Sequence, residues 1–262
     1  MGCGSSRDAF EPIPDSYSSI EEVQEALREV GLQSSDLIIA VDFTESNLWK
    51  GKQTFEGRSL HFVDRTGRVR NPYQTVISAI TRVFELFDDD DMIPAYGFGG
   101  HPERAISERY FPFVEGRGCE LDEVLQRYFE IASTMELNAT ASFVPVIQQA
   151  VKVAKKTHRY HILIIISNGH IDDPEMARRA IVEASEYPIS IVMVGVGDGP
   201  WGMMREFDDQ LPERQFDNFQ FVNYNTVPRG NLNNPDGGFA MQALMEIPEQ
   251  YNRIRELGLI KN

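Results

Sequence analysis

An apolar run at residues 37–41 limits the possible folds of this chain more than any other segment. Five apolar residues between Asp36 and Asp42 are typical of a strand that a parallel sheet buries on both faces. Open α/β sheets bind ligands beyond the carboxyl ends of their strands, so the residues after the run are candidates for a site. Asp42, Thr44 and Ser46 supply one carboxylate and two hydroxyls at alternate positions there. Hard oxygen ligands of this kind suit Mg²⁺ or Mn²⁺.

Strand and helix patterns alternate along the rest of the chain. The alternation predicts an α/β fold with a doubly wound, mainly parallel six-stranded sheet, helices on both faces and one antiparallel edge strand. A hairpin should lead from the first strand to the second. The strands are expected at residues 37–41, 58–63, 92–98, 160–166, 189–194 and 219–222. The main helices are expected at residues 20–30, 72–87, 121–133, 143–157, 174–186 and 239–257.

Composition and charge narrow the function classes. A hydrophobic content of 42% supports a sizeable core, and we expect a single domain over residues 18–262. The net charge of -15 makes nucleic acid a poor partner and disfavours anionic lipid headgroups at the folded surface. The two cysteines, Cys3 and Cys119, form neither a disulfide framework nor a zinc motif, which fits a reducing cytoplasm. No catalytic constellation is evident, so we expect protein partners and no catalytic residues.

The first residues carry a lipidation signal. Residues 1–6, Met-Gly-Cys-Gly-Ser-Ser, fit the N-myristoylation pattern, in which Gly2 becomes the acceptor after Met1 is removed. One myristoyl chain gives only marginal membrane affinity, and S-palmitoylation of Cys3 would supply the second signal that stable anchoring needs. We therefore expect residues 1–17 to be a flexible or acylated segment that reaches the inner leaflet of a membrane. The alternative is a disordered, unmodified terminus.

Longer strings show a family resemblance. Five of them resemble the A domain of copines, at residues 42–44, 59–62, 71–73, 96–99 and 191–197. Three more look like the copine-type domain of plant RING-finger ubiquitin ligases, which also begin with an acylation motif, at residues 197–201, 203–209 and 216–223. The resemblance covers residues 20–259. It implies a von Willebrand factor type A domain, a recognition module whose edge-bound cation accepts a carboxylate from the partner protein.

Two departures from these families bear on activity. Copines carry paired C2 domains before this module, and the plant ligases carry a zinc-binding RING after it. The 262 residues contain neither. We therefore expect a protein that is not an enzyme and that lacks ubiquitin-ligase activity of its own.

The resemblance also implies a three-loop metal site, and this chain departs from it on two loops. The first loop is intact as Asp42, Thr44 and Ser46. On the second, Ala141 stands where the family has Thr, and Thr140 or Ser142 could substitute if the loop shifts. On the third, Asn168 replaces an Asp and removes one negative charge. We expect Mg²⁺ or Mn²⁺ to bind weakly or not at all; a hydrogen-bonded turn without metal is the favoured alternative.

Other sequence features concern ligand and partner recognition. Gly195-x-Gly197-x-Gly199 lies too late in the chain for a dinucleotide fingerprint, so we expect tight turns and no nucleotide. Exposed positions near the metal face are expected to present a docking surface, and the aromatic ones could equally pack against the core. These positions are Glu45, Asn47, Trp49, His170, Asp198 and Trp201, of which Trp49, His170 and Trp201 are the predicted partner contacts.

The sequence therefore favours a scaffold or protein-interaction module that is cytoplasmic and peripherally attached to a membrane. Two alternatives remain open. The protein could recruit substrates as a subunit of a ubiquitin ligase complex. It could also be a structural component of a cytoskeletal or ciliary assembly.

Overall fold

The computed structural model describes residues 13, 17–32, 36–84, 92–100, 110–137, 141–211, 214–227 and 236–260. Its strands are β1 Asp36–Asp42, β2 Ala95–Phe98, β3 Tyr110–Pro112, β4 His161–Ser167, β5 Ile189–Gly195 and β6 Phe219–Asn223. Its helices are α1 Ile20–Glu29, α2 Pro72–Phe84, α3 Leu121–Ala132, α4 Val144–Thr157, α5 Pro174–Ala184, α6 Gly202–Asp209, α7 Gly237–Leu244 and α8 Ile247–Glu256. A short 3₁₀-helix, Glu45–Leu48, follows β1.

The six strands form one sheet in the order β3-β2-β1-β4-β5-β6. All neighbours are parallel except β2 and β3, which pair antiparallel at one edge. β1 lies inside the sheet between β2 and β4, so its carboxyl end at Asp42 lies beside those of two parallel neighbours. The predicted mainly parallel α/β fold with one antiparallel edge strand is confirmed.

Each face of the sheet has its own apolar core. Alternate residues of β1 supply the two cores: Leu37, Ile39 and Val41 join one, and Ile38 and Ala40 join the other. The first core includes residues of α1, α2, α3, α7 and α8, and the second includes residues of α4, α5 and α6. Because both faces are covered, a continuous apolar run is what β1 requires. Among the described residues, no helix is both long enough and apolar enough to cross a membrane.

The predicted strand at residues 58–63 is wrong. Leu60 and His61 are both buried although they are adjacent, and the Phe62 amide donates to the Ser59 carbonyl at 2.9 Å in a turn. A strand would have sent neighbouring side chains to opposite faces. The antiparallel edge strand is β3 instead, which the apolar pattern did not reveal.

The predicted helix at residues 239–257 is two helices. Its chain leaves helical structure at Met245 and Glu246, and α8 begins just before Pro248. Proline lacks an amide hydrogen and clashes with the preceding turn, so a helix rarely continues through it. The apolar periodicity on both sides of the break concealed it.

Candidate functional site

Asp42 ends β1 and is completely buried. Its Oδ1 accepts hydrogen bonds from the Thr44 amide at 2.8 Å and from Asn47 Nδ2 at 3.3 Å. Its Oδ2 accepts from Ser167 Oγ at 2.7 Å and from the Asn168 amide at 3.4 Å. Burial raises the pKa of Asp42, and the hydrogen bonds from Thr44 and Ser167 oppose that shift. Both carboxylate oxygens are therefore occupied by donors from the protein.

The two hydroxyls of the first loop also bond within the site. Thr44 Oγ1 and Ser46 Oγ lie 2.9 Å apart. Asn168 Nδ2 donates to Ser46 Oγ at 2.9 Å, and Asn168 Oδ1 accepts from the His170 amide at 3.1 Å. All three polar side chains, Thr44, Ser46 and Asn168, are buried. The structure thus brings the first and third predicted metal loops together, and joins them by hydrogen bonds between side chains.

The second predicted loop contributes less. Thr140 lies outside the described residues. Ala141 is buried, its amide donates to Asp172 Oδ2 at 2.7 Å, and Ser142 Oγ accepts from the Val144 amide at the start of α4. The Asp172 carboxylate is therefore held against the backbone of this loop. Glu45 is exposed, and among the described residues no hydrogen bond joins either acid to Thr44, Ser46 or Asn168.

The arrangement does not fit a tightly held divalent cation. Mg²⁺ requires near-octahedral oxygen ligands and favours carboxylates. The side chains that the structure joins at this point are one carboxylate, Asp42, the hydroxyls of Thr44, Ser46 and Ser167, and the amide of Asn168. Asn168 faces Ser46 Oγ with both Nδ2, at 2.9 Å, and Oδ1, at 3.2 Å, and it brings no negative charge where an Asp would bring one.

Asn47 lies behind Asp42 and corrects a second prediction. It was expected at the surface, but it is fully buried. Its Nδ2 donates to the carbonyl oxygens of Asp42 at 3.1 Å and Thr44 at 3.0 Å. Its Oδ1 accepts from the Tyr73 hydroxyl at 2.7 Å. Asn47 therefore fixes the turn that follows β1, because each of its polar atoms has a partner in that turn or in α2.

His61 supports the same turn from deeper in the core. Its Nε2 lies 2.7 Å from the Asp42 carbonyl oxygen, which can only accept, so Nε2 carries a proton. Its Nδ1 lies 2.8 Å from the Tyr128 hydroxyl oxygen. Its ring stacks between the rings of Phe43 and Tyr73, whose centroids lie 4.7 Å and 4.1 Å from the centroid of His61. Burial lowers the pKa of His61 to about 3, so the ring is neutral at physiological pH. A neutral ring accepts from Tyr128 at Nδ1.

Sequence reasoning gave His61, Tyr73 and Tyr128 no role in the site, and it placed Asn47 at the surface. His61 and Tyr73 stood within strings that carry the family resemblance, which was a signal of importance but not of contact. Tyr128 Oη also lies 3.1 Å from Asn71 Oδ1, next to the start of α2, so the single hydroxyl proton of Tyr128 is shared between His61 Nδ1 and Asn71 Oδ1. Asn47, His61, Tyr73, Tyr128 and Asn71 together are named the inner network below.

The three predicted partner contacts differ in exposure. Trp49 follows the 3₁₀-helix, and its side chain is 55% exposed beside the exposed Leu48. His170 is exposed, and its Nε2 lies 3.3 Å from Asp172 Oδ1. Trp201 is half-buried, and its ring centroid lies 5.3 Å from that of Phe221. Trp49 and His170 are thus accessible near the end of β1, whereas Trp201 is largely a packing residue.

Two other sequence features have packing roles. Gly197 has a positive φ of 86°, and a Cβ there would lie 2.7 Å from the Lys50 carbonyl oxygen. The glycine run thus allows the β5–α6 connection to approach the segment after β1. Cys119 is buried, and burial raises the pKa of its thiol to about 11. A thiol with that pKa is protonated at neutral pH and is a poor nucleophile.

An open sheet with an Asp-x-Thr-x-Ser loop at the carboxyl end of an inner strand defines the von Willebrand factor A class of domain. The fold resembles that of the manganese-loaded TRAP protein of Plasmodium vivax, with a TM-score of 0.51, 12% identity, and coverage of 88% of this chain and 75% of that one. The VWA domain of SpRpn10 is a weaker match, with a TM-score of 0.47, 12% identity, and coverage of 72% of this chain and 87% of that one.

The family follows from sequence. The Copine family model matches residues 59–262, and the chain belongs to the copine family. It is 44% identical to Copine family protein 2 of Caenorhabditis elegans, over 94% of this chain and 3% of that protein. It is also 44% identical to E3 ubiquitin-protein ligase RGLG2 of Arabidopsis thaliana, over 96% of this chain and 56% of the ligase. The chain therefore spans little more than half of that ligase.

Proposed function

We propose that this protein is a non-enzymatic protein-interaction module that binds its partner at the carboxyl edge of the sheet without a bridging metal ion. The observation that carries the proposal is the Asp42 carboxylate, which accepts four hydrogen bonds from the protein, so that both of its oxygens already have donors. A partner carboxylate would meet no cation there. Recognition would then depend on accessible side chains around the site, chiefly Trp49 and His170.

The N-terminal segment would attach this module to a membrane. Gly2 and Cys3 are the proposed acceptors of a myristoyl and a palmitoyl chain, and two chains together give the stable attachment that one does not. The cytoplasmic surface of a membrane is the corresponding location. The folded domain would then present its binding edge to proteins at that surface.

A second candidate function draws on the plant relatives. The 44% identity to E3 ubiquitin-protein ligase RGLG2 favours a role in recruiting substrates to a ubiquitin ligase complex. In that role, the same edge of the sheet would bind the substrate, and a separate protein would supply the ligase activity. Co-purification with ubiquitin-conjugating components would distinguish this function from a general scaffold.

Metal independence can be tested by rebuilding the site. Asn168→Asp with Ala141→Thr restores one carboxylate and one hydroxyl to the positions where the family has them. Thermal unfolding of the purified protein should not respond to millimolar Mg²⁺ or Mn²⁺, whereas the double variant should melt several degrees higher with either ion. A comparable shift in the unaltered protein would contradict the proposal.

Partner binding can be tested by proximity labelling in cells. Trp49→Ala should lose specific neighbours, Gly2→Ala should lose membrane neighbours, and Leu257→Ala, an exposed apolar residue after α8, should lose neither. In pull-downs with the partner so identified, EDTA should leave binding unchanged. Loss of binding in EDTA, or turnover of a small molecule by the purified protein, would reject a metal-independent, non-enzymatic module.

A further inference from the structure

The segment between the 3₁₀-helix and α2 has a charge opposite to that of the molecule. Residues 49–71, named the basic segment, contain six Lys or Arg residues and two acids. Its net charge of +4 leaves -19 on the rest of the chain, because the whole chain carries -15. This segment therefore has a positive local potential. In physiological salt such a potential extends roughly 8 Å from the surface.

The second half of this segment is a closed loop. Residues 62–71, named the arginine loop, have their ends joined by Asn71 Nδ2, which donates to the Phe62 carbonyl oxygen at 3.1 Å. The Asp64 carboxylate organises the interior: Oδ1 accepts from the Thr66 amide at 2.9 Å, and Oδ2 accepts from the Arg68 and Val69 amides at 3.0 Å. The loop is therefore pre-formed, because its backbone donors bind its own carboxylate.

This geometry turns the cations outward. Arg65 and Arg68 are exposed, and neither has an ion-pair partner among the described residues. Arg70 is exposed too, with a single long contact of 3.4 Å from its Nη1 to Ser78 Oγ. Most other arginines described have acidic partners, as Arg117 and Arg127 have in Glu123. Arg65 and Arg68 thus keep their donors available for a ligand.

Apolar surface lies beside these cations. Phe62 begins the arginine loop and is 40% exposed, with the Arg58 guanidinium 5.3 Å from its ring centroid. The Leu60 amide donates to the Asn47 carbonyl oxygen at 2.9 Å, which holds the basic segment against the 3₁₀-helix that precedes Trp49. Cations and exposed aromatic rings therefore occupy one continuous stretch of chain at the binding edge.

We propose that the arginine loop binds an acidic peptide segment of the partner protein, with Arg65 and Arg68 pairing with its carboxylates and Phe62 contacting an apolar residue. The proposal rests on the proposed function, because it names the chemistry of the partner at the same edge. A narrow peptide meets only the local positive potential. A broad anionic bilayer would also face the rest of the molecule, whose net charge is -19. The resulting repulsion disfavours a bilayer as the ligand.

The first test measures binding of a fluorescein-labelled peptide of alternating Glu and Leu, with the Gln-Leu peptide as its uncharged counterpart. The protein should bind the Glu peptide in a salt-dependent manner, and Arg65→Glu with Arg68→Glu should weaken binding about tenfold or more. Lys152→Glu with Arg179→Glu makes the same change of net charge on exposed residues of α4 and α5, and should have little effect. Equal losses in the two double variants would overturn the proposal.

The second test distinguishes binding by a pre-formed loop from binding by charge attraction alone. Asp64→Ala removes a negative charge, so attraction alone predicts tighter binding of the Glu peptide. The structure predicts weaker binding, because the loop loses the carboxylate that accepts three of its backbone amides. Tighter binding in Asp64→Ala would overturn the pre-formed site.

Two outcomes distinguish this inference from the proposed function. If a partner found by proximity labelling depends on Trp49 but binds the Arg65 and Arg68 variants normally, the module stands and the acidic-peptide inference fails. If the purified protein binds phosphatidylserine vesicles through Arg65 and Arg68 but not the Glu peptide, the loop recognises lipid and the inference also fails. Circular dichroism melts of every variant would establish that each remains folded.

Discussion

The inner network and the basic segment share His61 and Asn71, but the buried polar groups of the first and the exposed cations of the second have opposite roles. In the inner network, Asn47, His61, Tyr73 and Asn71 are buried, and their polar side-chain atoms bond to one another or to the turn after β1. In the basic segment, Arg65 and Arg68 face solvent. A buried polar group without a partner costs free energy, so the inner network acts in stability, whereas exposed donors remain free to bind.

The comparison also shows how the protein accommodates a buried carboxylate at the end of β1. A buried carboxylate needs either a positive ion or hydrogen-bond donors. Asp42 accepts from the backbone amides of Thr44 and Asn168 and from the side chains of Asn47 and Ser167. Hydrogen bonds thus compensate for the burial of this carboxylate.

The largest expected effect concerns Asp42. Asp42→Ala leaves the Thr44 amide and the Ser167 hydroxyl without their buried acceptor, and should lower the free energy of unfolding by about 3 kcal/mol. Asp42→Asn retains one acceptor and should cost less, and the exposed Asp209→Ala should change stability by less than about 0.5 kcal/mol. Urea unfolding measures all three. If Asp42→Ala unfolds at the same urea concentration as the unaltered protein, the hydrogen bonds to Asp42 do not stabilise the fold.

A smaller effect should appear in the pH dependence of stability, through His61. Its pKa is about 3 in the folded protein and 6.5 as the ordinary value, so the unfolded chain binds a proton between these limits and the folded chain does not. The stability that depends on a neutral, buried His61 is therefore fully present above pH 6.5 and is lost as the pH falls toward 3.

From pH 7 to pH 5, this linkage should lower the free energy of unfolding by about 2 kcal/mol relative to His61→Gln, which does not titrate. Urea unfolding at several pH values compares the two proteins. Parallel profiles would mean that His61 titrates normally in the folded protein and is open to water.

The smallest expected effect on stability belongs to Trp49. Because its side chain is largely exposed, Trp49→Ala should change the free energy of unfolding by less than about 0.5 kcal/mol while it removes partner binding. The matched change Trp201→Ala should cost about 1 to 2 kcal/mol, because that ring packs on Phe221 and Gly169. Similar stability losses in the two variants would contradict the distinction between binding surface and scaffold.

Local sequence patterns were sufficient for most of the fold. The apolar runs that became β1, β4 and β5 are continuous because those strands are buried on both faces. The short β3 was missed because three residues carry too little periodicity, and residues 58–63 were misread because a brief alternation resembles a strand. The contacts that hold that segment are not strand pairs: the Leu60 amide donates to the Asn47 carbonyl oxygen, and His61 Nε2 donates to the Asp42 carbonyl oxygen.

The sequence by itself determined that Asp42, Thr44 and Ser46 follow a buried strand, because the order of apolar and polar residues is local information. Only the tertiary structure decided how their polar atoms are used. Ser167 is 125 residues from Asp42, and Tyr128 is 67 residues from His61, yet each pair lies within hydrogen-bond distance. Contacts between residues so far apart in the chain depend on how the sheet and helices pack, and no local pattern encodes them.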